Sequence, residues 1–459
     1  MMKTRCLQRM LIGVGLAMTL AVPWASATDY YVVMSSQQPS PPPSLWTNWG
    51  LAHTNLLEVV AAAGNNDTVY VTNNATYWLT NQITVSYAIT VRSWGPGGIL
   101  DPTNTILYGR YPNATNRHFQ IANSGATLAG FTLTQGCESN GGSISLQSGM
   151  VTNCTIVSNY AQNSDGGGGL YLAGNGNGSV YNCALSGNTA KMGAGISIKD
   201  VGPWQIVNCR ISGNSALETG YGGGILVNLN NASASAIISN CWVVSNRANN
   251  YGGGIALYSR AQCHNSFIIG NTVLTNQGGG IRMLGTSLIR NCLIANNIAK
   301  EGNTTASGGG ILAGWGASIQ NCTIVSNAAP AGNGGIQLTY ATGPENKFEN
   351  TIIWGNSGVN SNWYISAGTN IFTNCCTSPN IVSAFATAVN TITNDPRFVN
   401  NATDFQLQSD SPCINAGTNE TWMIGVKDLG GLQRIDRFSG QVDIGAYEYL
   451  PSGTMFVIH

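Results

Sequence analysis

The most constraining feature of this sequence is a short phrase that recurs about eight times between Gly141 and Asn356. Each copy contains an Asn-Cys-x-aliphatic run that ends in Asn, then a glycine cluster such as GGGI that ends in an aliphatic residue. These aliphatic residues are 25 to 30 positions apart: Ile144, Leu170, Ile196, Ile225, Ile255, Ile281, Ile311 and Ile336. Such a period predicts a stacked solenoid, because a single repeat cannot bury its own apolar face.

Two short strand-like runs are visible in each copy, and both alternate between apolar and polar residues. The position two after the aliphatic residue is apolar in every copy: Leu146, Leu172, Ile198, Val227, Leu257, Met283, Ala313 and Leu338. The Asn before each cysteine-led run tolerates left-handed backbone at a corner, and the glycines allow a second tight corner. Two or three strands per turn with such corners predict an all-β fold, a parallel β-helix.

The cysteines follow the same repeat. Six of the twelve occupy one repeat position, where other copies carry Ser266 and Thr351: Cys154, Cys183, Cys209, Cys241, Cys292 and Cys322. A residue that alternates with Ser and Thr at a fixed strand position is typical of a small core side chain. We therefore expect stacked free thiols and not a disulfide framework.

Composition and the N-terminus indicate location. Only 8% of residues are charged and the net charge is zero, so the basic footprint of a nucleic-acid-binding protein is absent. Residues 1–27 combine a positive start, an apolar run from Met10 to Val22 and an Ala25-Ser26-Ala27 cleavage site. That pattern predicts a bacterial secretory signal peptide and a secreted or cell-surface protein. The apolar run is too short to span a membrane, and no later segment is predicted to do so.

Four segments follow from these patterns. Residues 1–27 are the signal peptide, 28–130 an N-terminal cap with the first coils, 131–376 the β-helix repeats, and 377–459 a C-terminal region. Within the second segment, His53–Gly64 has helical composition, with Thr54 or Asn55 as N-cap, and a helix there could close the first coil. The proline-rich stretch Ser36–Ser44 reads as an extended spacer. Both ends of the stack are expected to be capped, since open strand edges would pair with other chains.

These residues resemble exported right-handed parallel β-helix proteins of the pectin-lyase-like superfold. The GGGI and aliphatic-x-x-N pairing also resembles the repeats of polymorphic outer-membrane proteins, which are adhesin-like. The C-terminal motifs resemble the choice-of-anchor Q domain of bacterial surface proteins: Asp395-Pro396-x-Phe398, Asp404-Phe405-x-Leu407, Ser411 to Gly417, and Val442 to Glu448. Eleven residues follow Glu448 without a recognisable sorting tail, which departs from that domain's usual pattern.

The resemblance implies either of two functions. Pectin and alginate enzymes share the superfold, but the NxD, DD, GHG and RxK set of galacturonan hydrolases and the vWiDH and RxPxxR patterns of pectate lyases are absent here. The sequence therefore favours a non-catalytic, adhesin-like protein that binds a glycan or a cell-surface protein. The alternative is a polysaccharide lyase or glycoside hydrolase acting on an acidic polysaccharide such as pectate or alginate; a purely structural surface-layer role is a third hypothesis.

One outward column of the glycine-led strand could bind an acidic sugar chain. It would place aromatic, amide and cationic groups on successive rungs: Tyr171, Lys199, Asn228, Tyr258 and Arg282. Their alternative role is an ordinary solvated sheet face.

A second outward column, on the cysteine-led strand, is apolar and includes Trp242, Phe267 and Leu293. A patch of that size requires a cover, either an inter-rung loop or a partner.

The C-terminal region has five aspartates that could hold a structural calcium ion: Asp395, Asp404, Asp428, Asp436 and Asp443. Their spacing matches no calcium motif and favours turn capping. No metal or other cofactor is predicted.

Overall fold

The computed structural model describes residues 27–33, 46–174, 176–200, 202–218, 220–229, 234–300, 307–437 and 439–451. The predicted signal peptide, apart from its last residue, and the proline-rich spacer lie outside these residues. In the described part of the chain the strands form four long parallel sheets that run along the stack, numbered here I to IV in the order in which one coil visits them. The fold is therefore an all-β parallel β-helix, as the repeats predicted, with four strands in a complete coil where two or three were expected.

The four sheets have the following strands. Sheet I consists of Asp29–Val32, Thr68–Thr72, Thr90–Trp94, Thr127–Ala129, Gly149–Thr152, Gly178–Tyr181, Pro203–Val207, Ser235–Ser239, Ala261–His264, Leu288–Arg290, Ser318–Gln320, Asn346–Glu349, Asn370–Thr373 and Ala386–Val389. Sheet II consists of Ala75–Trp78, Thr105–Tyr108, Thr132–Thr134, Thr155–Val157, Ala184–Ser186, Arg210–Ser212, Trp242–Val244, Phe267–Ile269, Leu293–Ala295, Thr323–Val325, Ile352–Trp354 and Cys376–Thr377. Sheet III consists of Cys137–Glu138, Tyr160–Ala161, Thr189–Ala190, Ser215–Ala216, Arg247–Ala248, Thr272–Val273, Ile298–Ala299, Ala328–Asn333 and Ser357–Asn360. Sheet IV, which follows the glycine clusters, consists of Ile83–Val85, Phe119–Ile121, Ile144–Leu146, Leu170–Leu172, Ile196–Lys199, Ile225–Asn228, Ile255–Tyr258, Ile281–Leu284, Ile311–Gly314, Ile336–Leu338 and Trp363–Ile365.

Other elements are few in the described residues. The strands Phe398–Asn400 and Asp404–Leu407 form an antiparallel pair. The α-helix Leu56–Ala62 begins after Asn55, whose side-chain oxygen accepts the backbone N–H of Leu57 at 3.1 Å, as expected for an N-cap. Three short 3₁₀ helices are Trp49–Leu51, Pro96–Gly98 and Thr421–Met423. Leu56, Val59 and Val60 of the α-helix join the main core, while its role as a lid stays a prediction.

The core is a set of apolar columns that run through the coils. The two inward positions of sheet IV predicted from the repeats, those of Ile225 and Val227, are fully buried or nearly so in all eight copies. The strand register places equivalent residues of successive coils next to each other: Ile225 pairs with Ile255, and Ile255 with Ile281. Each rung thereby removes its apolar face from water by stacking on its neighbours.

Asparagines play two separate roles at the corners. The Asn before each sheet II strand is left-handed, with φ between 47° and 55°: Asn153, Asn182, Asn208, Asn240, Asn265, Asn291, Asn321 and Asn350. This confirms the predicted corner. A second set, which ends the cysteine-led run, forms what we call the asparagine ladder: Asn159, Asn188, Asn214, Asn246, Asn271, Asn297, Asn327 and Asn356. From Asn188 onwards, each Oδ1 accepts the backbone N–H and the amide of the Asn on the preceding rung, at 2.9 to 3.0 Å between Asn246 and Asn271. The Oδ1 of the first member, Asn159, accepts the N–H of Gly136.

Glycine is required where the chain turns into sheet IV. Gly222 has a φ of +62°, and a Cβ at that position would lie 2.3 Å from the carbonyl oxygen of Ile225. The equivalent Gly252 has a φ of +60° and the same close approach to Ile255. The glycine cluster therefore provides a corner that no other residue fits without strain.

The cysteines are structural. The eleven cysteines of the described residues are free thiols, and all are buried. At the repeat position the stack includes hydroxyl residues: the backbone N–H of Cys241 donates to Ser266 Oγ at 3.1 Å, and that of Cys322 to Thr351 Oγ1 at 3.5 Å. The exchange of Cys with Ser and Thr thus reflects one buried site repeated from rung to rung.

The chain's own C-terminal region covers the part of the sheet II apolar column that contains Leu293. Neither an inter-rung loop nor a partner is needed as a cover there. Leu293, Val325 and Ile352 pack with Phe398, Phe405, Leu407, Cys413 and Ile444 in a second core cluster. Hydrogen bonds fix this docking, including Ala446 N–H to Thr323 Oγ1 at 3.0 Å. Trp242, stacked on Phe267 at 4.1 Å, lies at the margin and stays 44% exposed.

A buried charge cluster organises the same region. Arg434 is fully buried, with its Nη1 atom 3.2 Å from Glu448 Oε1 and its Nη2 donating to the carbonyl of Gly445. Asp428 and Asp443 lie nearby and accept backbone N–H groups of Glu448 and Tyr449. Burial raises the pKa of Glu448 to about 9 although Arg434 opposes the shift. One guanidinium thus holds several carboxyl groups in a dry site, where losing it would be costly.

Candidate functional site

The five residues proposed as a binding ladder lie on successive rungs of sheet IV but in two columns. Lys199, Asn228 and Tyr258 are direct register partners at the fourth strand position. Tyr171 and Arg282 occupy the second position, where their partners are Ser197 and Ala256. The single ladder expected from the sequence is therefore wrong in register, because two outward positions two residues apart were merged into one.

Lys199 does not offer a free cation. Its Nζ atom lies 2.7 Å from Asp165 Oδ1, so its charge is balanced within the chain. Tyr171 is close to the same carboxylate, and burial together with Asp165 and Asp200 raises the pKa of its phenol to about 12. This part of the face is an internally satisfied polar surface.

Arg282 is the centre of a different arrangement. Its guanidinium carbon lies 3.9 Å from the ring centroid of Tyr251, 5.2 Å from that of Tyr258 and 5.4 Å from that of Tyr221. Its Nη1 donates to the hydroxyl of Tyr258 at 2.5 Å. All three rings are within the distance at which a cation is attracted to an aromatic face. We call these four residues the Arg282 cluster.

The local fold explains how the rings are positioned. Tyr221 and Tyr251 directly precede the corner glycines Gly222 and Gly252, and they are register partners across adjacent coils. Their rings stack at 5.3 Å with an angle of 3°, close to the spacing of neighbouring strands. Sequence reasoning missed both tyrosines, although the phrase YGGGI in two successive copies is a signal that could have identified them.

The electrostatics of the cluster favour an anionic ligand. Arg282 takes part in none of the ion pairs found among the described residues, and its Nε atom is buried without a hydrogen-bond partner. Burial raises the pKa of Tyr258 even though Arg282 lowers it, so the hydroxyl is a neutral phenol. A permanent cation among rings and hydroxyls can pair with a carboxylate in the bidentate manner typical of arginine.

The face continues beyond the cluster. Gln277 is the register partner of Tyr251, and it also lines a depression of about 410 Å³ with Asn333, Gln337, Asn360 and Tyr364. Amide groups and a tyrosine on the following rungs extend the polar and aromatic character of the surface. The arrangement suits an extended ligand that lies along the stack.

Four of the five C-terminal aspartates cap local turns, while Asp443 bonds to a segment 28 positions earlier. Each accepts a backbone N–H group, from Arg397, Gln406, Leu432, Ser439 and Asn415 respectively, in the order Asp395, Asp404, Asp428, Asp436 and Asp443. In the parts of the chain that the structure describes, no group of three or more His, Cys, Asp or Glu side chains could hold a metal ion.

None of the helices in the described segments has both the length and the apolar character that crossing a membrane requires.

Comparison with known proteins places the fold. The family model described as a right handed beta helix region matches residues 113–268, which supports the handedness expected from the repeats. The chain matches none of the curated proteins with which it was compared.

Similar solved structures include a pectate lyase, at 16% identity and a TM-score of 0.45, covering 92% of this chain and 97% of the other. An alginate lyase in complex with a trisaccharide is 14% identical, with a TM-score of 0.40 and coverage of 84% and 92%. A rhamnogalacturonan lyase is 11% identical, with a TM-score of 0.32 and coverage of 93% and 97%.

Proposed function

We propose that this protein is an exported or cell-surface β-helix protein, adhesin-like, that binds an acidic polysaccharide along sheet IV without cleaving it. The observation that carries the proposal is the Arg282 cluster. Its guanidinium lies among Tyr221, Tyr251 and Tyr258 and is in no ion pair with a carboxylate of the described residues.

The chemistry of a uronic-acid chain matches this surface. Its carboxylate would pair with Arg282, and its hydroxyls would meet the phenols and the downstream amides. A charge-assisted hydrogen bond of this kind contributes about 1.5–3 kcal/mol, which corresponds to roughly a tenfold to hundredfold change in affinity. The tyrosine rings would contact the apolar faces of the sugar, since aromatic side chains bury area at low conformational cost.

Location at the cell surface rests on sequence. Residues 1–27 have the pattern of a bacterial signal peptide, and the motifs between Asp395 and Glu448 resemble a choice-of-anchor Q domain. The polymorphic outer-membrane-protein-like repeats support an adhesin-like role at that surface, and a cell-surface protein is the alternative ligand class.

A polysaccharide lyase is the second candidate, and the contact between Tyr258 and Arg282 favours it. Elimination from a uronate needs a cation on the carboxylate and a base at the neighbouring carbon, and these two residues could supply them. Burial raises the pKa of Tyr258, which disfavours the phenolate that such a base requires. The same contact therefore supports binding more directly than catalysis.

The test combines binding and product formation on the full chain. We expect hexagalacturonate to bind by calorimetry, and Arg282→Gln to weaken binding at least tenfold. Arg210→Gln, which removes an exposed arginine on sheet II, is the matched control and should leave affinity unchanged. Ultraviolet absorbance from unsaturated sugar ends would replace the binding proposal with the lyase, and equal affinity in both variants would reject the Arg282 cluster as the site.

A further inference from the structure

A second aromatic surface lies far from the Arg282 cluster, at the N-terminal end of sheet II. Trp78 ends the strand Ala75–Trp78, and its side chain is 61% exposed. Its register partner is Tyr108, with ring centroids 4.2 Å apart. The two rings together form an aromatic surface that is open to solvent at Trp78.

Two clefts meet at the indole. One, of about 530 Å³, is lined by Trp78, Tyr108, Arg110, Tyr111 and Asn113. The other, of about 370 Å³, is lined by Trp78 together with Thr54, Asn55, Thr76 and Thr80. Both volumes fall within the roughly 300–1,000 Å³ of small-molecule sites. Trp78 therefore lines two recesses that also contain polar side chains.

Arg110 is held at the edge of the larger cleft by a strained backbone. Its φ is +69°, in the left-handed region that residues other than Gly, Asn and Asp seldom adopt. Its carbonyl accepts the N–H of Asn113 at 2.9 Å, and the next N–H, of Tyr111, donates to Gln135 at 2.8 Å. Left-handed corners of this kind recur along the stack, and here the turn and its two hydrogen bonds fix the backbone that presents Arg110 to the cleft.

The charge of Arg110 is available to a ligand. Arg110 is exposed, and none of the ion pairs among the described residues includes it. The ring of Tyr111, which lines the same cleft, packs against the ring of Tyr160, with centroids 5.3 Å apart. A guanidinium beside aromatic side chains can receive the carboxylate of a sugar while the sugar ring stacks on one of those side chains.

We infer that the larger cleft, which contains both Trp78 and Arg110, is a second sugar-binding site. It takes a uronic-acid unit with its ring on Trp78 and its carboxylate on Arg110. The ligand class rests on the acidic polysaccharide proposed above, but the residues are distinct from the Arg282 cluster. Because Trp78 lines both clefts, a chain bound in the larger cleft has a second recess beside the same indole into which it can extend.

The experiment uses the full chain with two probes, acidic hexagalacturonate and neutral xylohexaose, measured by calorimetry. Trp78→Ala removes the stacking surface and should weaken both probes about tenfold, because each sugar ring loses its aromatic partner. Arg110→Gln should weaken hexagalacturonate about tenfold and leave xylohexaose unchanged. Trp242→Ala, which removes another exposed tryptophan on the same sheet, is the control and should change neither.

The outcomes separate the two sites. If Arg282→Gln abolishes hexagalacturonate binding while Trp78→Ala and Arg110→Gln behave as wild type, the proposed function stands and this inference is wrong. If binding survives Arg282→Gln but fails in Trp78→Ala, the inference stands and the Arg282 cluster is not the main site. Equal losses for both probes in Arg110→Gln would overturn the assignment of the carboxylate to that residue.

Discussion

Replacing Asn271 by alanine tests what the asparagine ladder contributes to stability. The Asn271 side chain is fully buried and takes part in four hydrogen bonds. Its Oδ1 accepts the backbone N–H of Asn246 at 2.9 Å and the amide of Asn246 at 3.0 Å. Its Nδ2 donates to the carbonyl of Val243 at 2.9 Å and to Asn297 Oδ1 at 3.0 Å.

The magnitude follows from the groups that lose these partners. In Asn271→Ala, the N–H and one amide hydrogen of Asn246 and the carbonyl of Val243 lose them inside the protein. Asn297 Oδ1 keeps the backbone N–H of residue 271, which donates to it at 2.9 Å. A buried polar group that loses its partner costs about 1–3 kcal/mol, so three such groups, partly relaxed, give a destabilisation of about 4 kcal/mol. That is a large fraction of the roughly 5–15 kcal/mol by which proteins are stable.

The assay is urea unfolding followed by circular dichroism, together with hydrogen exchange at the Asn246 amide. We expect a lower unfolding midpoint and faster exchange at Asn246. Asn177→Ala, which truncates an exposed asparagine between sheets IV and I, is the control and should shift the free energy of unfolding by less than about 0.5 kcal/mol. A loss below about 1 kcal/mol in Asn271→Ala would refute the reasoning that the ladder is a major stabilising element.

Three further predictions concern the ionisable groups and thiols. Arg434→Met removes the cation beside the buried Asp428, Asp443 and Glu448 and the donor to the Gly445 carbonyl, and should destabilise the C-terminal region by about 3–5 kcal/mol, seen as its earlier release by protease; unchanged cleavage would contradict this. His118 is fully buried with a pKa lowered from 6.5 to about 4, so the unfolded chain takes up its proton first and the free energy of unfolding falls as pH drops from 6.5 towards 4. That loss, about 3 kcal/mol, should be seen in the wild type by urea unfolding at several pH values and be absent from His118→Gln. A thiol reagent should modify the eleven described cysteines only after denaturant is added, and rapid labelling of the native protein would show that the stack opens.

Much of the fold is predictable because it repeats. The inward columns of sheet IV, the left-handed corner at Asn153 and its equivalents, and the stacked cysteines each appear as one residue type at one position in many copies. Sheet III was not visible because most of its strands, such as Thr189–Ala190, are two residues long and carry no alternation. The asparagine ladder was visible as a repeated letter, but its hydrogen bonds depend on register between coils.

The candidate site was harder to predict because it depends on small offsets and distant contacts. The sequence identifies Tyr258 and Arg282 as candidates, but their positions along the sheet IV strands differ by two residues. Only the structure shows that their side chains are in contact. Tyr221 and Tyr251 lie at a corner outside the strands, where alternation of apolar and polar residues does not indicate which way a side chain points. The cover over Leu293 comes from residues more than a hundred positions later, such as Ile444, and periodicity contains no information about such docking.

The late position of that cover has a consequence for biosynthesis. Lys427 bonds to Asn291 across 136 positions and Ala446 bonds to Thr323 across 123, so the coils emerge well before the segment that docks on them. Until then the outer surface around Leu293 and Ile352 is a water-exposed apolar strip on a nascent chain, the kind of surface that promotes association between chains. The final residues therefore act as a completion step. A product that stops near residue 390 would stack its coils yet tend to associate with its own copies through the uncovered strip.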